Sequence, residues 1–300
     1  MLDRSGGEGT RCVVLVNPAR VPRSLGLSSL IQRHARASGW REPIWIETVE
    51  VGDDGLDEAL GAGADVLLAC GGDGTVARAI QALAQWEQVA LGIVPLGSGN
   101  LLARNLNLPR APEAAVLVVT TGIRRRIDLG EVGGIRFAVA AGIGIDAKML
   151  ADAPGTAKRV FGWLAYVPSA AIHLLDPEFG VSLEVDQGPA LTRRVRSVLV
   201  SNVGRLPGGI RLRRDISTED GLLDVVVIAP RRPRDFLRLA LRLGLRHPEG
   251  VGLETFRCRT VKVVAERSQP READGEPLAP ARELVVGVLP RALLVCTQST

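Results

Sequence analysis

The chain has 300 residues, of which 46% are apolar and 23% charged, with a formal net charge of +4. That length suits one large domain or two ordinary ones, and roughly 75% of the unfolded surface can be buried at this size without disulfide or metal staples. Such a composition excludes a disordered chain, and no stretch approaches the ~18 apolar residues of a membrane span.

Met1 to Arg11 is too polar and glycine-rich for a secretory leader, so none is expected. Cys12–Val16 reads as a short buried strand, and Ser28–Ser38 as a helix. A second strand is expected over Glu42–Val51, with a short helix containing Asp57–Gly61 after it. Ala64–Cys70 is a strand, Thr75–Gln85 a helix, Val89–Leu96 a strand, and Leu101–Leu106 opens another helix. Strands alternating with helices imply a parallel sheet with helices on its faces.

After about residue 125 the pattern changes. Ile135–Ala141, Val181–Val185, Val195–Val200, Leu223–Ile228, Thr260–Ala265 and Glu283–Val288 are strand-like runs separated by turn residues. Two helical patterns interrupt them, at Lys158–Leu175 and Pro233–Arg246. A mostly antiparallel β-sandwich is expected there. The fold class is therefore α/β, with an N-terminal parallel-sheet domain at residues 1–125 and a C-terminal β-sandwich at 126–290. The terminal segment 291–300 is placed back with the first domain.

Four cysteines, Cys12, Cys70, Cys258 and Cys296, sit in apolar segments without a C-x-x-C pair. Buried, reduced thiols are expected rather than a metal or redox centre. The sequence pI near 9.2 permits an anionic partner. Aromatics are only 3% of the chain, which supplies too few base-stacking platforms for a single-stranded nucleic acid partner.

The strongest chemical signal is Gly71-Gly72-Asp73-Gly74-Thr75, directly between a buried strand and a helix. Glycines permit a sharp turn and close backbone approach, and the helix that follows presents free N–H groups and its positive dipole end to the loop. Thr75 can cap the helix or reach a phosphate oxygen. Asp73 can orient a ribose, or a metal ion carried by a nucleotide. A second strand–loop–helix has the same shape: Leu91–Leu96, then Gly97-Ser98-Gly99-Asn100, then Leu101. Two such loops at the same ends of neighbouring parallel strands line one crevice, where open α/β sheets bind ligands. Neither is a G-x-x-x-x-G-K-[ST] loop, and no G-x-G-x-x-G follows the first strand.

GGDGT followed by PLGSGN resembles the catalytic domain shared by bacterial diacylglycerol kinases, related lipid kinases and sphingosine kinases. The resemblance extends through Lys158–Tyr166, Ser201-Asn202 with Pro207-Gly208-Gly209, Asp220-Gly221-Leu222-Leu223-Asp224 and Asp274-Gly275-Glu276. It implies a Rossmann-like, NAD-kinase-like nucleotide domain followed by a β-sandwich, with ATP in the cleft between them. The nucleotide role then falls on Asn17, Thr48, Gly71, Gly72, Asp73, Gly74, Thr75 and Ser98, with Asn100 fixing the second loop. Glu276 corresponds to the residue proposed as proton acceptor, and Asp73 joins it at the catalytic centre. Phosphoryl transfer needs such a group together with positioning and charge neutralisation.

At Asp220 the resemblance implies a structural Mg²⁺, held by its side chain and the Ser217 and Leu222 carbonyls; a metal-free β-turn is the alternative. The expected reaction transfers the γ-phosphate of ATP to a lipid hydroxyl at a membrane surface, diacylglycerol giving phosphatidic acid. A cytoplasmic enzyme of phospholipid biosynthesis follows, with peripheral membrane contact and a homodimer both compatible. Arg234, Arg238, Arg242 and Arg246 form one face of an otherwise apolar helix, which serves either anionic lipid or a solvated stripe. Two positions depart from the family pattern: Ala19-Arg20 replaces a Ser-Gly pair, and Ala77-Arg78 replaces Asn-Glu. The second favours a weak or regulatory relative as a rival reading. An NAD-kinase-like soluble acceptor is the other rival, set back by the D-G-L-L-D and D-G-E segments.

Overall fold

Fully buried runs of β-branched and aliphatic residues form strands that a two-sided covering of helices requires. The first is β1 (Cys12–Val16), buried along its whole length. Next come α1 (Leu27–Ala37), β2 (Ile44–Glu47), α2 (Leu56–Gly61) and β3 (Val66–Gly71), followed by α3 (Asp73–Ala82), β4 (Ala90–Pro95), α4 (Leu101–Asn105) and α5 (Pro112–Thr121). The computed structural model describes residues 9–18, 21, 26–48, 55–144, 178–205, 216–229 and 253–299. The expected helices at Lys158–Leu175 and Pro233–Arg246, and the segments Ala19-Arg20 and Pro207–Gly209, lie outside those residues.

The chain divides into two compact units, Met1–Arg126 with Leu293–Thr300, and Ile127–Ala292. In the first, parallel pairing gives the strand order β2-β1-β3-β4. The far edge of β4 is covered by the end of the last strand, β14 (Glu276–Thr297), where Val295 pairs with Leu91 in parallel. Helix α5 has no counterpart among the elements read from sequence. Its apolar residues run almost all round, so no helical stripe stands out. Ala115, Val116 and Val119 are buried in the same cluster as Val14, Leu68 and Val94. Gly92 permits the close approach of α5, because a Cβ there would lie 2.9 Å from both Val119 methyls.

The second unit is the expected antiparallel β-sandwich. The remaining strands are β5 (Ile123–Val132), β6 (Ile135–Phe137), β7 (Ala140–Gly144), β8 (Phe179–Val185), β9 (Leu191–Val195), β10 (Ser197–Ser201), β11 (Leu223–Ile228), β12 (Leu253–Cys258) and β13 (Thr260–Ala273). One layer runs β12-β11-β10-β7-β13. The other is built on β9-β8-β13. Strand β13 serves both: Val261–Ala265 pair with β8, whereas Arg271–Ala273 pair with β7. Its register against β14 shifts on either side of Gln269, and this irregularity accommodates Pro270, which has no N–H for the ladder. Phe137, Ile143, Phe179, Leu183, Val198 and Leu284 fill the core.

The segment Arg267–Pro280 is therefore two paired strands rather than the loop its Arg, Glu and Pro content suggests. Likewise Ile135–Ala141 is not one strand. It breaks at Ala138-Val139, whose peptide N–H groups are taken by a side chain from β13's end instead of a neighbouring strand.

Candidate functional site

In the first unit, the carboxyl ends of four adjacent parallel strands carry every residue to which a nucleotide role was assigned. Asn17 follows β1, Thr48 follows β2, Gly71 to Thr75 end β3 and open α3, and Ser98 and Asn100 follow β4. The Thr48 N–H donates to the Val16 carbonyl at 2.8 Å, which continues the β1–β2 ladder to its edge.

The two glycine loops touch. A Cβ on Gly97 would lie 2.5 Å from the Gly72 Cα, and one on Gly72 would lie 3.2 Å from the Gly97 Cα. Gly97 has no room for a side chain and Gly72 is tight, so the loops approach backbone to backbone. Gly99 is restricted in the same way by the Asp73 carboxylate, and Gly71 by the Thr75 side chain. Thr75 is buried and Ser98 is exposed.

Asn100 holds the second loop in shape. Its backbone is left-handed, with φ 50°, and its amide brackets the Gly97 peptide. The Gly97 N–H donates to Asn100 Oδ1 at 3.0 Å, and Asn100 Nδ2 donates to the Gly97 carbonyl at 2.6 Å. Asp73 then ties one loop to the other. Its Oδ2 accepts from the Asn100 N–H at 2.9 Å and its Oδ1 from the Leu101 N–H at 2.6 Å. Both oxygens thus satisfy the otherwise orphaned first-turn donors of α4. The direct hydrogen bonds of Asp73 go to its own fold, whatever role the remaining lone pairs take. Arg78 lies one turn into α3, half-buried.

The second unit positions Glu276 by a different network. Asp274 and Gly275 form a two-residue hairpin turn with positive φ at both, 47° and 82°, which suits Asp-Gly in a type I′ turn. The Asp274 carboxylate accepts from the N–H groups of Ala138, Val139 and Ala140 at 2.7, 2.8 and 3.1 Å. Buried Asn202 works on the same stretch, its Nδ2 donating to the Ala138 carbonyl at 3.1 Å and to the Asp128 carbonyl at 2.8 Å. Glu272 accepts from the Gly275 N–H at 2.8 Å. Glu276, at the start of β14, is exposed beyond this fixed turn.

The Asp220 turn has its own anchor. Gly221, at φ 71°, donates its N–H to Asp128 Oδ2 at 2.7 Å, and the Arg291 N–H reaches the other Asp128 oxygen at 2.7 Å. Asp128 is fully buried, and these two partners lie 93 and 163 residues away in the chain. Asp220 Oδ1 accepts from the Leu222 N–H at 3.0 Å, and Oδ2 is engaged by the Arg257 guanidinium. A divalent ion at Asp220 would have to displace that cation, so the residues in place do not fit the Mg²⁺ site expected over Ser217, Asp220 and Leu222. Among the described residues no cluster of three or more His, Cys, Asp or Glu side chains is arranged to hold a metal. Nor is any described helix long and apolar enough to cross a membrane.

Comparison with known proteins gives two consecutive domain matches. Residues 11–132 match the diacylglycerol kinase catalytic domain, and residues 138–297 match the YegS C-terminal NAD kinase beta sandwich-like domain. A Pseudomonas aeruginosa protein named "Probable lipid kinase YegS-like" is 33% identical over 250 residues, covering 80% of this chain and 79% of that one. A Bacillus subtilis protein named "Diacylglycerol kinase" is 29% identical over 217 residues, covering 71% of each chain. The fold matches a solved diacylglycerol kinase from Bacillus anthracis str. Sterne with a TM-score of 0.78 at 20% identity, over 96% of this chain and 97% of that one. It also matches an NAD kinase from Archaeoglobus fulgidus, solved in complex with ATP, with a TM-score of 0.58 at 14% identity, over 97% and 94% of the two chains.

Proposed function

The chain belongs to the diacylglycerol kinase catalytic-domain family of lipid kinases, and from that premise we propose that it transfers the γ-phosphate of ATP to the free hydroxyl of diacylglycerol, giving phosphatidic acid and ADP. The observation that carries this reading is the meeting of the Gly72 and Gly97 loops, with Asp73 and Asn100 holding them together. Side-chain-free backbone at the carboxyl ends of adjacent parallel strands suits a polyphosphate, which the α3 N-terminus further attracts. An ATP complex of the NAD kinase neighbour and the name of the Bacillus subtilis relative support nucleotide and acceptor respectively.

In the proposed reaction the acceptor oxygen attacks the γ-phosphorus. The bond to the β–γ bridging oxygen breaks, ADP leaves, and the hydroxyl proton passes to the Glu276 carboxylate. The divalent ion that accompanies ATP enters as part of that substrate. General-base action of this kind contributes about 10²–10⁴-fold. Peripheral contact with the lipid surface belongs to the same proposal.

A labelled-ATP assay on mixed micelles of diacylglycerol, sphingosine, ceramide or polyprenol, beside soluble NAD, tests it. Label is expected in diacylglycerol, with Glu276→Gln slowed by about 10²-fold or more. Label in NAD alone rejects the lipid acceptor, and ATP binding without turnover of any acceptor rejects catalysis. Normal turnover by Glu276→Gln removes that residue from the proton path.

A further inference from the structure

The D-G-L-L-D segment carries two acidic side chains, Asp220 and Asp224, at a turn and the strand it opens. In β11, Asp224 stands directly opposite Arg257 of β12. Arg257 extends along that shared face, with Nη2 engaging Asp220 Oδ2 and Nε 3.9 Å from Asp224 Oδ1. Asp224 is buried, whereas the Asp220 and Arg257 side chains are about a quarter exposed. One guanidinium therefore faces both carboxylates of the segment. The N–H groups of the turn are taken by side chains: Asp220 Oδ1 accepts from Leu222, Asp128 from Gly221, and Ser217 Oγ from Glu219 at 3.2 Å.

We propose that Arg257 is a built-in cation that occupies the place of a divalent metal at the Asp220 turn, so that the β-sandwich of this chain folds and persists without a bound metal. A guanidinium suits this use. It is always protonated, it is planar, and it offers several fixed donors to more than one carboxylate. A metal at Asp220 would also meet electrostatic repulsion from the Arg257 charge within contact range. The proposal is independent of the acceptor that the enzyme phosphorylates. Activity is no guide to it, because ATP brings its own divalent ion.

The test uses the full chain free of nucleotide. Mn²⁺ serves as the paramagnetic probe, and bound ion is counted by electron paramagnetic resonance in wild type and in Asp220→Asn. Wild type is expected to bind no Mn²⁺ that Asp220→Asn loses, and its melting temperature should be the same in EDTA as in millimolar Mg²⁺. Arg257→Gln should melt roughly 3–6 °C lower in EDTA and recover part of that loss in Mg²⁺, with Arg257→Lys between the two. One equivalent of Mn²⁺ bound by wild type and lost in Asp220→Asn overturns the proposal, whether or not the Arg257 variants fold. So does a melting temperature of Arg257→Gln in EDTA equal to that of wild type.

Discussion

Replacing Asp73 by Asn separates a role in holding the loops from a role in holding the ligand. Its carboxylate accepts two backbone N–H groups, from Asn100 at 2.9 Å and Leu101 at 2.6 Å. Hydrogen bonds to an ionised group contribute about 1.5–3 kcal/mol each. Asn keeps one acceptor oxygen but turns an N–H donor towards the other backbone N–H, so about one such bond is lost. It also removes a negative charge from the start of α4, worth about 0.3–1 kcal/mol. The sum is about 2–4 kcal/mol, or a fall in melting temperature of roughly 4–16 °C at about 2–4 °C per kcal/mol. Trp40, Trp45 and Trp86, three of the four tryptophans, belong to the first unit, so fluorescence-detected melting reports on the relevant part of the chain. Asp73→Ala, which abandons both donors, should melt lower still. An Asp73→Asn protein that melts within about a degree of wild type yet no longer binds ATP refutes the reasoning. The carboxylate would then act on the nucleotide and not on the loop.

Three further outcomes follow from the second unit and the buried thiols. Asp274→Ala strands three backbone N–H groups at Ala138 to Ala140, so it should destabilise the chain by about 2–4 kcal/mol in a denaturant titration and slow turnover through displacement of Glu276. Burial raises the thiol pKa of Cys12 and Cys258 from 9.0 to about 12, and that of Cys296 to about 11, the latter moderated by the Arg124 guanidinium. The folded chain should therefore resist iodoacetamide at pH 8, with rapid labelling of native protein as the contrary result. Because the unfolded thiols ionise near pH 9 and the folded ones only near 11–12, stability from this source is complete below pH 9. It drains away as the pH climbs through that interval, which melting curves at stepped alkaline pH will show.

Local signals made the parallel half readable. Cys12–Val16 and Leu91–Leu96 are short runs without a charged or polar-uncharged side chain such as Ser or Asn, bounded by turn residues, and a strand buried on both faces can be little else at that length. The glycine loops were visible for the same reason, since backbone freedom is written at the positions that need it. The strands β12 and β13 were harder. In β13 the alternation of exposed and buried residues holds only over Thr260–Ala265, and Pro270 breaks the pattern where the ladder itself is irregular. What escaped entirely was non-local. Asp128, Asp274 and Arg257 work on partners 33 to 163 residues away in the chain, and nothing beside them in the sequence announces those partners.

The closing segment, from Leu293 onward, has a consequence for synthesis. Val295 pairs along the open side of Leu91, so that border of the N-terminal sheet stays bare until translation has passed the whole β-sandwich and reached Val295. That unit begins to form first and finishes last. In the interval its unpaired border is a template for any other extended chain nearby, which gives a nascent molecule of this enzyme reason to be shielded from its own copies.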